Sequence, residues 1–381
     1  MQDTTGRMNI AVNTRFLIKD KLEGIGWFTY ETLKRITQNH PEHHFYFLFD
    51  RDFDNSFLFS DNVTPIVLWP QARHPILWYY WFEVAVPNIL KRLNADLFLS
   101  TDGFLSLKTD TKQVLVIHDL AFEHFPKHVP GLQLKYYSYY SPKFAQKANR
   151  IATVSEFSKR DIVNRYHIAA DKVDVVYNGV NTLFQTNYNG EVKTAQERFA
   201  TGNDYFIYVG SIHPRKNIDN LFKAFDEFKT RNNNSGAKLV IAGRKAWKTQ
   251  STFTVYNNLR YKDDIVFLGH TSPDDLSKLV NGALAMVYVS HFEGFGIPIL
   301  EAMNAGVPVI TSKVSSMPEV AGEAGVLVDP SSHIEIAMAM DEVYNNTKLR
   351  KQLVNEGNIQ RQKFSWDKTA NLLWQSMAKV L

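Results

Sequence analysis

The sequence contains no cysteine among its 381 residues, and this absence removes two classes of site. Without thiols there is neither a disulfide framework nor a thiolate metal centre, which fits a reducing compartment. No stretch approaches the roughly 20 apolar residues that a membrane-spanning helix requires. The start, MQDTTGRMNIAVN, also lacks the basic and long apolar regions of a secretory signal. We therefore expect a cytoplasmic protein that is soluble or peripheral at the inner face of the membrane.

The chain also has little excess charge of either sign. The chain has 43 Lys and Arg against 39 Asp and Glu, which gives a net charge of +4 without a dense basic block. This balance argues against nucleic acid as the main partner and leaves room for weak attraction to anionic lipid. From the sequence we predict no Asp-x-Asp metal signature, no clustered histidine or cysteine ligands and no metal site.

A chain of this length exceeds what one core usually supports, so two domains are expected. From Met8 onward, short β-branched or aromatic runs alternate with helical patterns, which indicates α/β units on parallel sheets. The segment Asn181 to Asp204 is polar and rich in turn residues. We predict an amino-terminal domain over 8–180, a connector over 181–204, a second domain over 205–362 and a final amphipathic segment over 363–381.

The most informative stretch is Ser290 to Val309, SHFEGFGIPILEAMNAGVPV. It predicts a strand end, a glycine-bracketed loop (Gly294, Phe295, Gly296), and a helix with Pro298 in its first turn. The first N–H groups of a helix have no partner within it and carry its positive dipole end. We therefore predict an anion site at this turn.

Two carboxylates, Glu293 and Glu301, flank the turn. If the interval were fully helical they would stand roughly 12 Å apart, from a rise of about 1.5 Å per residue. A hydrolytic acid and base pair needs about 5 to 9.5 Å. The two glutamates are therefore interpreted as holding different ends of one elongated ligand.

Other candidate residues follow predicted strands, where ligands of open parallel sheets bind. Arg215 and Lys216, in SIHPRKN, could clamp a pyrophosphate or form a solvated basic turn. His118 follows the strand Val114 to Ile117, although a lone histidine is usually structural. Gly24 and Gly26, before a helix predicted from about Trp27, form either a plain loop or a ligand loop. Gly243 and Gly269 end two further predicted strands.

The densest aromatic stretch, Trp69 to Phe82, has two interpretations. At helical spacing Trp78, Trp81 and Phe82 can pack inward as a core helix. The alternative is an exposed apolar patch for a lipid-linked acceptor or the membrane surface.

The spacing of Glu293, Gly294-Phe295-Gly296, Pro298 and Glu301 resembles the Glu-x7-Glu signature of retaining glycosyltransferases of the GT-B fold, family four, also called glycosyl transferases group 1. The strings VIHDLAFEHFP, TVSEFSKRDI and SIHPRKN resemble other segments of this family, and the resemblance extends over nearly all of the chain from Met8. It implies an α/β protein in which two Rossmann-like domains, each with a parallel sheet, face each other across a cleft. The final segment would return to the amino-terminal domain.

The resemblance also implies the chemistry: transfer of a hexose from a nucleotide sugar with retention of anomeric configuration and without a cofactor or metal. By resemblance, the catalytic residues are His118, Glu293, Arg215 and Lys216. The donor-binding residues are Gly24, Gly26, Gly243, Gly269, Gly294, Phe295, Gly296 and Glu301. In this assignment Glu293 holds sugar hydroxyls, Glu301 holds the ribose, and the two cations meet the leaving diphosphate.

The strings VIHDLAFEHFP and SIHPRKN look most like bacterial mannosyltransferases of surface-polysaccharide assembly. This implies a glycan or lipid-linked acceptor, with GDP-mannose as the first donor expected and a UDP-hexose as the second. Two other classes stay open at this stage, a nucleotide-sugar epimerase of the same architecture and a non-catalytic sugar-binding relative.

Overall fold

The computed structural model describes residues 6–185, 197–199, 202–233, 235–244 and 250–381. The chain divides into two compact units, Met1–Gly179 with Ser365–Leu381 and Val180–Phe364. Most of the connector predicted over 181–204 lies outside the described residues. Among the described residues, no helix combines the length and the apolar character needed to cross a bilayer.

The first unit contains a seven-stranded sheet in the order β3-β2-β1-β4-β5-β6-β7, and all of its paired strands are parallel. Its central strands are apolar and lie between helices, so Ile10, Ala11 and Val12 are fully buried. The strands are β1 (Asn9–Asn13), β2 (His44–Phe49), β3 (Val63–Val67), β4 (Leu97–Ser100), β5 (Lys112–Ile117), β6 (Arg150–Thr153) and β7 (Val173–Val175).

Six helices before residue 179 belong to the described part of this unit. They are α1 (Gly24–Asn39), α2 (Pro75–Tyr80), α3 (Val86–Arg92), α4 (Ala121–His124), α5 (Gly131–Lys147) and α6 (Glu156–Tyr166), and a π-helical turn at Trp81–Ala85 joins α2 to α3.

Helix α1 begins earlier than the sequence predicts. It starts at Gly24, so Gly24 and Gly26 lie in its first turn and not in a preceding loop. A side chain at residue 26 would place its Cβ 3.0 Å from the carbonyl oxygen of Phe16 and 3.1 Å from Leu22 Cδ2. Gly26 is thus required for close packing of the first turn against the segment that follows β1.

The aromatic stretch is buried on one face, as a core helix would be, and exposed on the other. Trp78, Trp81 and Phe82 are buried in the core of the first unit. The other face is exposed, with Trp69 at 79% and Ile76 at 69% of full exposure. Leu77, Tyr79 and Tyr80 are exposed on the same segment.

The second unit contains a six-stranded sheet in the order β10-β9-β8-β11-β12-β13, again parallel in every pair. Its strands are β8 (Tyr205–Val209), β9 (Lys238–Ala242), β10 (Ile265–Gly269), β11 (Ala285–Tyr288), β12 (Val309–Ser312) and β13 (Gly325–Val328). The described helices are α7 (Ile218–Arg231), α8 (Gln250–Asn257), α9 (Pro273–Asn281), α10 (Ile297–Asn304), α11 (Met317–Ala321), α12 (His333–Asn345) and α13 (Thr347–Gln360).

The last helix, α14 (Trp366–Ala378), lies in the first unit. Ser365 caps it by accepting a hydrogen bond from the N–H of Lys368, and Arg35 of α1 pairs with Asp367 at 2.5 Å. Thr369 donates its hydroxyl to the carbonyl oxygen of Tyr177 at 2.6 Å. The chain at Gly179 lies so close to Trp366 that a side chain at residue 179 would overlap the start of the helix.

Candidate functional site

The carboxyl ends of the parallel strands in the second unit lie on one edge of its sheet, and most predicted donor-side residues follow these ends. The turn containing Arg215 and Lys216 follows β8, Gly243 follows β9, Gly269 ends β10, and the loop containing Glu293 follows β11. The sheet order places these four strands side by side. The parallel fold therefore gathers residues that are up to 78 positions apart in the sequence along one edge.

At this edge Glu293, Arg215 and Lys216 form one ion cluster. Lys216 Nζ lies 2.6 Å from Glu293 Oε1, and Arg215 Nη1 lies 3.3 Å from Glu293 Oε2. Glu293 is only 6% exposed. Burial alone would raise its pKa, but the two cations outweigh burial and lower the pKa to about 2. The cluster consists of two cations and one anion, so one positive charge remains.

Residues that the sequence analysis did not single out hold this cluster in place. The hydroxyl of Tyr288, the last residue of β11, accepts a hydrogen bond from Lys216 at 2.8 Å. Ser315 Oγ accepts the N–H of Glu293, and Ser316 Oγ lies 2.9 Å from the carbonyl oxygens of Glu293 and Phe295. The signal available in the sequence was the serine pair that follows the apolar strand β12, because it predicts polar side chains at the same edge.

The turn that leads into α10 has the predicted conformation but fewer amide donors than expected. Gly296 precedes the helix with φ of 103°, a left-handed value that favours glycine. Pro298 has no N–H, and the N–H of Ile299 already bonds the carbonyl oxygen of Gly296 at 3.0 Å. The ring of Phe295 is buried against Phe364, so only its backbone can face a ligand.

Glu301 differs from Glu293 in its burial, its hydrogen bonds and its pKa. It lies on α10, is partly buried, and receives no hydrogen bond on its carboxylate from any described residue. Burial raises its pKa to about 7. A carboxylate without an internal partner is suited to accept hydrogen bonds from ligand hydroxyls.

Gly243 and Gly269 have different structural requirements. A side chain at residue 243 would overlap the carbonyl oxygen of Gly210, because the turns after β8 and β9 approach closely. Gly269 has φ of 67° and open space where a Cβ would lie. The first glycine is required by packing and the second by backbone conformation.

In the first unit His118 lies at the carboxyl end of β5. Its Nε2 is 2.9 Å from the carbonyl oxygen of Thr101, which can only accept, so Nε2 carries the proton and Nδ1 is left as an acceptor. Burial lowers the pKa of His118 and favours this neutral form. The adjacent Asp119 accepts the N–H of Ala121, the first residue of α4, at 2.9 Å.

The start of α1 contacts His118. Phe28 meets the imidazole edge to face with a centroid separation of 5.0 Å, and Thr29 hydrogen-bonds the hydroxyl of Thr101 at 2.8 Å. The first unit thus brings together His118 and the helix that begins with Gly24 and Gly26.

The prediction that the sequence contains no Asp-x-Asp signature is wrong. Asp50-Arg51-Asp52 has an Asp-x-Asp spacing, but the Asp50 carboxylate already accepts two hydrogen bonds from Arg51 and one from the N–H of Ala72. The prediction that histidine ligands are not clustered is wrong, because His40, Glu42 and His43 bring three potential ligand atoms within 4.8 Å of one another.

Comparison with known proteins agrees with this geometry. Residues 22–183 match the family Glycosyltransferase Family 4, and residues 190–360 match Glycosyl transferases group 1. The chain belongs to these glycosyltransferases, with a family-four domain followed by a group 1 domain.

Two similar proteins illustrate the sequence relationship. O-antigen chain mannosyltransferase B of Escherichia coli is 29% identical over 259 residues, which are 67% of this chain and 67% of that protein. An uncharacterised glycosyltransferase of Methanocaldococcus jannaschii is 33% identical over 228 residues, which are 58% of this chain and 57% of that protein.

Solved structures confirm the GT-B fold. Anabaena Alr3699/HepE in complex with UDP and glucose has a TM-score of 0.76 at 16% identity, covering 97% of this chain and 99% of that one. WaaG, a glycosyltransferase involved in lipopolysaccharide biosynthesis, has a TM-score of 0.76 at 14% identity, covering 95% of this chain and 97% of that one. At these identities the similarity is one of fold.

Proposed function

We propose that this glycosyltransferase transfers a hexose from a nucleotide sugar to a glycan or lipid-linked acceptor with retention of anomeric configuration, in surface-polysaccharide synthesis. The observation that carries the proposal is the cluster of Glu293, Arg215 and Lys216 beside the start of α10, with Glu301 on the same helix. A site with one excess positive charge and a carboxylate that no described residue hydrogen-bonds suits a diphosphate attached to hydroxyl-bearing sugars.

The leaving group is the nucleoside diphosphate. As the bond between the sugar and the diphosphate breaks, negative charge grows on the phosphate oxygen, and donors fixed in advance stabilise it. Arg215 and Lys216 are such donors because Glu293, Tyr288 and the carbonyl oxygen of Phe292 already orient them. Their charge is therefore available without reorganisation.

Glu293 would accept hydrogen bonds from sugar hydroxyls, and its low pKa supports that role. A carboxylate that is ionised at every ordinary pH and held by two cations is a poor base and a poor nucleophile. In the reaction we propose, the acceptor hydroxyl attacks on the face that the diphosphate leaves. Its proton passes to the departing phosphate oxygen, and the neutral His118 would bind a hydroxyl of the transferred sugar.

The relatives suggest the sugar and the acceptor. Several of the similar proteins are named as mannosyltransferases, including O-antigen chain mannosyltransferases of Escherichia coli and Salmonella typhimurium. GDP-mannose is therefore the first donor to test, and a UDP-hexose is the second. The acceptor expected is a growing glycan, carried on a lipid where synthesis takes place at the inner face of the membrane.

Peripheral membrane contact is supported by the exposed face of the aromatic stretch. Tyr79 packs near Tyr140 of α5, which in turn meets the exposed Tyr139. Lys108 lies against Tyr79, and Lys143 lies over the ring of Tyr139. Aromatic rings beside lysines suit the interface of an anionic bilayer. Sedimentation with vesicles that contain or lack anionic lipid tests this contact, and Trp69→Ser with Ile76→Ser should weaken it.

The decisive experiment incubates the purified protein with GDP-mannose, UDP-glucose and UDP-galactose, each with and without lipid-linked oligosaccharide acceptors. Product formation that depends on the acceptor is expected, and nuclear magnetic resonance should show the same anomeric configuration in donor and product. Conversion of the donor without an acceptor would indicate an epimerase. Binding without turnover would indicate a non-catalytic relative, and an inverted product would exclude retention.

A further inference from the structure

The loop between α1 and β2 contains a group of potential metal ligands that the transferase reaction does not use. Its sequence is His40-Pro41-Glu42-His43, which supplies two imidazoles and one carboxylate. Glu42 Oε1 lies 3.4 Å from His40 Nδ1 and 3.4 Å from His43 Nε2. One ligand atom from each of the three residues lies within 4.8 Å of the others.

The separations within this group suit ligands that share one cation. A hydrogen bond between nitrogen and oxygen spans about 2.7 to 3.2 Å, so 3.4 Å is long for one. Two ligands bound at about 2.1 Å to a tetrahedral ion stand roughly 3.4 Å apart. Both separations from Glu42 therefore match the edge of a coordination tetrahedron.

The two imidazoles are held in place by the last helix. Trp374 of α14 stacks on His40 with a centroid separation of 3.6 Å and on His43 with one of 5.3 Å. His43 is only 7% exposed, so its ring has little room to turn away from Glu42. The two imidazole rings are 13° from parallel, and the stacking on Trp374 holds both in place.

The neighbouring His44 is not part of this group. Its Nδ1 faces Arg7 at 3.1 Å, and its Nε2 faces the hydroxyl of Thr64 at 2.8 Å. His44 begins β2, so the group lies at the amino end of this strand. His118 lies at the carboxyl end of β5, across a sheet about 20 Å wide in the strand direction. The group is therefore remote from the predicted catalytic histidine.

We propose that His40, Glu42 and His43 bind one divalent transition-metal ion of the Zn²⁺ class, with water completing a tetrahedral shell. Imidazole nitrogen suits Zn²⁺, Ni²⁺ and Cu²⁺, whereas Mg²⁺ requires oxygen ligands. The ion stabilises the turn on which α14 rests, because both imidazoles it fixes are the surfaces that Trp374 stacks on. Its role is structural and does not depend on the transfer reaction.

The test uses untagged full-length protein stripped with a chelator and titrated with ZnCl₂ by calorimetry. One Zn²⁺ per chain and a raised Tm are expected, and MgCl₂ should produce neither effect. His40→Gln, Glu42→Gln and His43→Gln should each weaken Zn²⁺ binding at least tenfold. His44→Gln is the matched control, since it changes an adjacent histidine that contacts other residues, and it should retain the affinity of the wild type.

A second readout needs no variant. Cu²⁺ bound to the wild-type protein at one equivalent should show hyperfine coupling to two imidazole nitrogens in its electron paramagnetic resonance spectrum, and bound Co²⁺ should show the visible absorption of a tetrahedral site. Absence of stoichiometric Zn²⁺ binding, a Cu²⁺ spectrum without nitrogen coupling, or an equal loss of binding in His44→Gln would each overturn the proposal.

Discussion

At the scale of single residues, the two glutamates of the Glu-x7-Glu pattern have opposite electrostatic environments. Glu293 is compensated by Lys216 and Arg215 and stays ionised, whereas Glu301 has no described partner and a pKa of about 7. The same residue type is thus a fixed anion at one position and a titrating group at the other. The difference arises from neighbours that lie far away in the sequence.

Replacing Lys216 by Met should affect both stability and turnover. It leaves the buried Glu293 carboxylate with Arg215 as its cation, so we expect a loss of about 2 kcal/mol, less than the roughly 3 to 5 kcal/mol of a fully broken buried pair. The double variant Lys216→Met with Glu293→Gln should recover part of the stability, because it no longer buries a carboxylate and Arg215 keeps its hydrogen bond to the carbonyl oxygen of Phe292, but it should not recover kcat. Urea unfolding and steady-state kinetics measure the two effects. Recovery of kcat in the double variant would contradict the role of Lys216 as a donor to the leaving group.

Because the pKa of Glu293 is lowered, the free energy of unfolding should fall as the solution becomes acidic. Its carboxylate is stabilised in the folded state, so its contribution is complete above the ordinary pKa of 4.5 and is lost as pH falls toward about 2. Glu293→Gln should flatten the fall in unfolding free energy over this range. If the unfolding free energy fell equally with pH in the wild type and the variant, the cations would not stabilise this carboxylate.

Glu301 should make donor binding depend on pH near neutrality. If the ionised carboxylate binds ribose hydroxyls, a pKa of about 7 predicts that the Kd of a nucleotide sugar rises about tenfold between pH 8 and pH 6. The opposite sign applies to folding without ligand, since a raised carboxyl pKa lowers stability as pH rises from 4.5 through 7. Calorimetry at several pH values checks the binding profile, with Glu301→Gln as the control that should bind weakly and independently of pH. A profile that is unchanged in this variant would assign the titration to another group.

At the scale of elements, the ends of neighbouring strands set the shape of the candidate donor site. The turns after β8 and β9 approach so closely that residue 243 can carry no side chain, whereas Gly269 at the end of β10 has free space. These two glycines lie at the carboxyl ends of neighbouring strands and differ in what surrounds them.

Gly243→Ala should therefore be much more harmful than Gly269→Ala. The first substitution forces the two turns apart and should cost at least about 3 kcal/mol, with loss of nucleotide binding. The second costs only the left-handed conformation of an alanine, about 1 to 2 kcal/mol. Thermal unfolding with and without nucleoside diphosphate measures both. Similar losses in the two variants would show that the close approach to Gly210 does not exist.

At the scale of the whole molecule, the first unit is completed by the end of the chain. Helix α14 buries Trp366, Leu373 and Met377 in a unit whose other residues end at Gly179. The chain therefore passes through the whole second unit before the first unit is finished.

Substitutions in α14 should loosen the first unit and leave the second unchanged. Leu373→Ala removes a fully buried side chain and should cost about 2 to 5 kcal/mol. Asp367→Ala removes only an exposed ion pair with Arg35 and should cost less than about 1 kcal/mol. Hydrogen exchange measured by peptide should rise in 9–179 for Leu373→Ala and stay constant in 205–244. Equal deprotection of both units by Leu373→Ala would contradict the assignment of α14 to the first unit.

The strands were predictable because a strand buried on both faces is a short, nearly continuous apolar run. The strand predicted over Val114 to Ile117 is β5, which ends at the predicted residue and begins two residues earlier, at Lys112. The start of α1 was not predictable from its glycines, because glycine usually indicates a loop. Here the first turn of α1 packs against Phe16 and Leu22, and this contact requires a residue without a side chain.

The roles of the site residues remain predictions, and the structure adds their surroundings. The sequence alone could nominate Glu293, Arg215, Lys216 and His118 by their motifs. It could not indicate that Tyr288 and Ser316 support them, since these contacts join strands that become neighbours only in the folded sheet. The ligand group at His40, Glu42 and His43 is local in sequence, but the tryptophan that positions it is more than 300 residues away.

The sequence by itself determined the alternation of strands and helices, the parallel sheets and the family to which the chain belongs, because these depend on local periodicity and on motifs of fixed spacing. The tertiary structure decided which charges meet, which of the two glutamates titrates near pH 7, which face of the aromatic stretch is buried, and where the final helix packs. These properties depend on distances and burial among residues remote in sequence, and no local pattern encodes them.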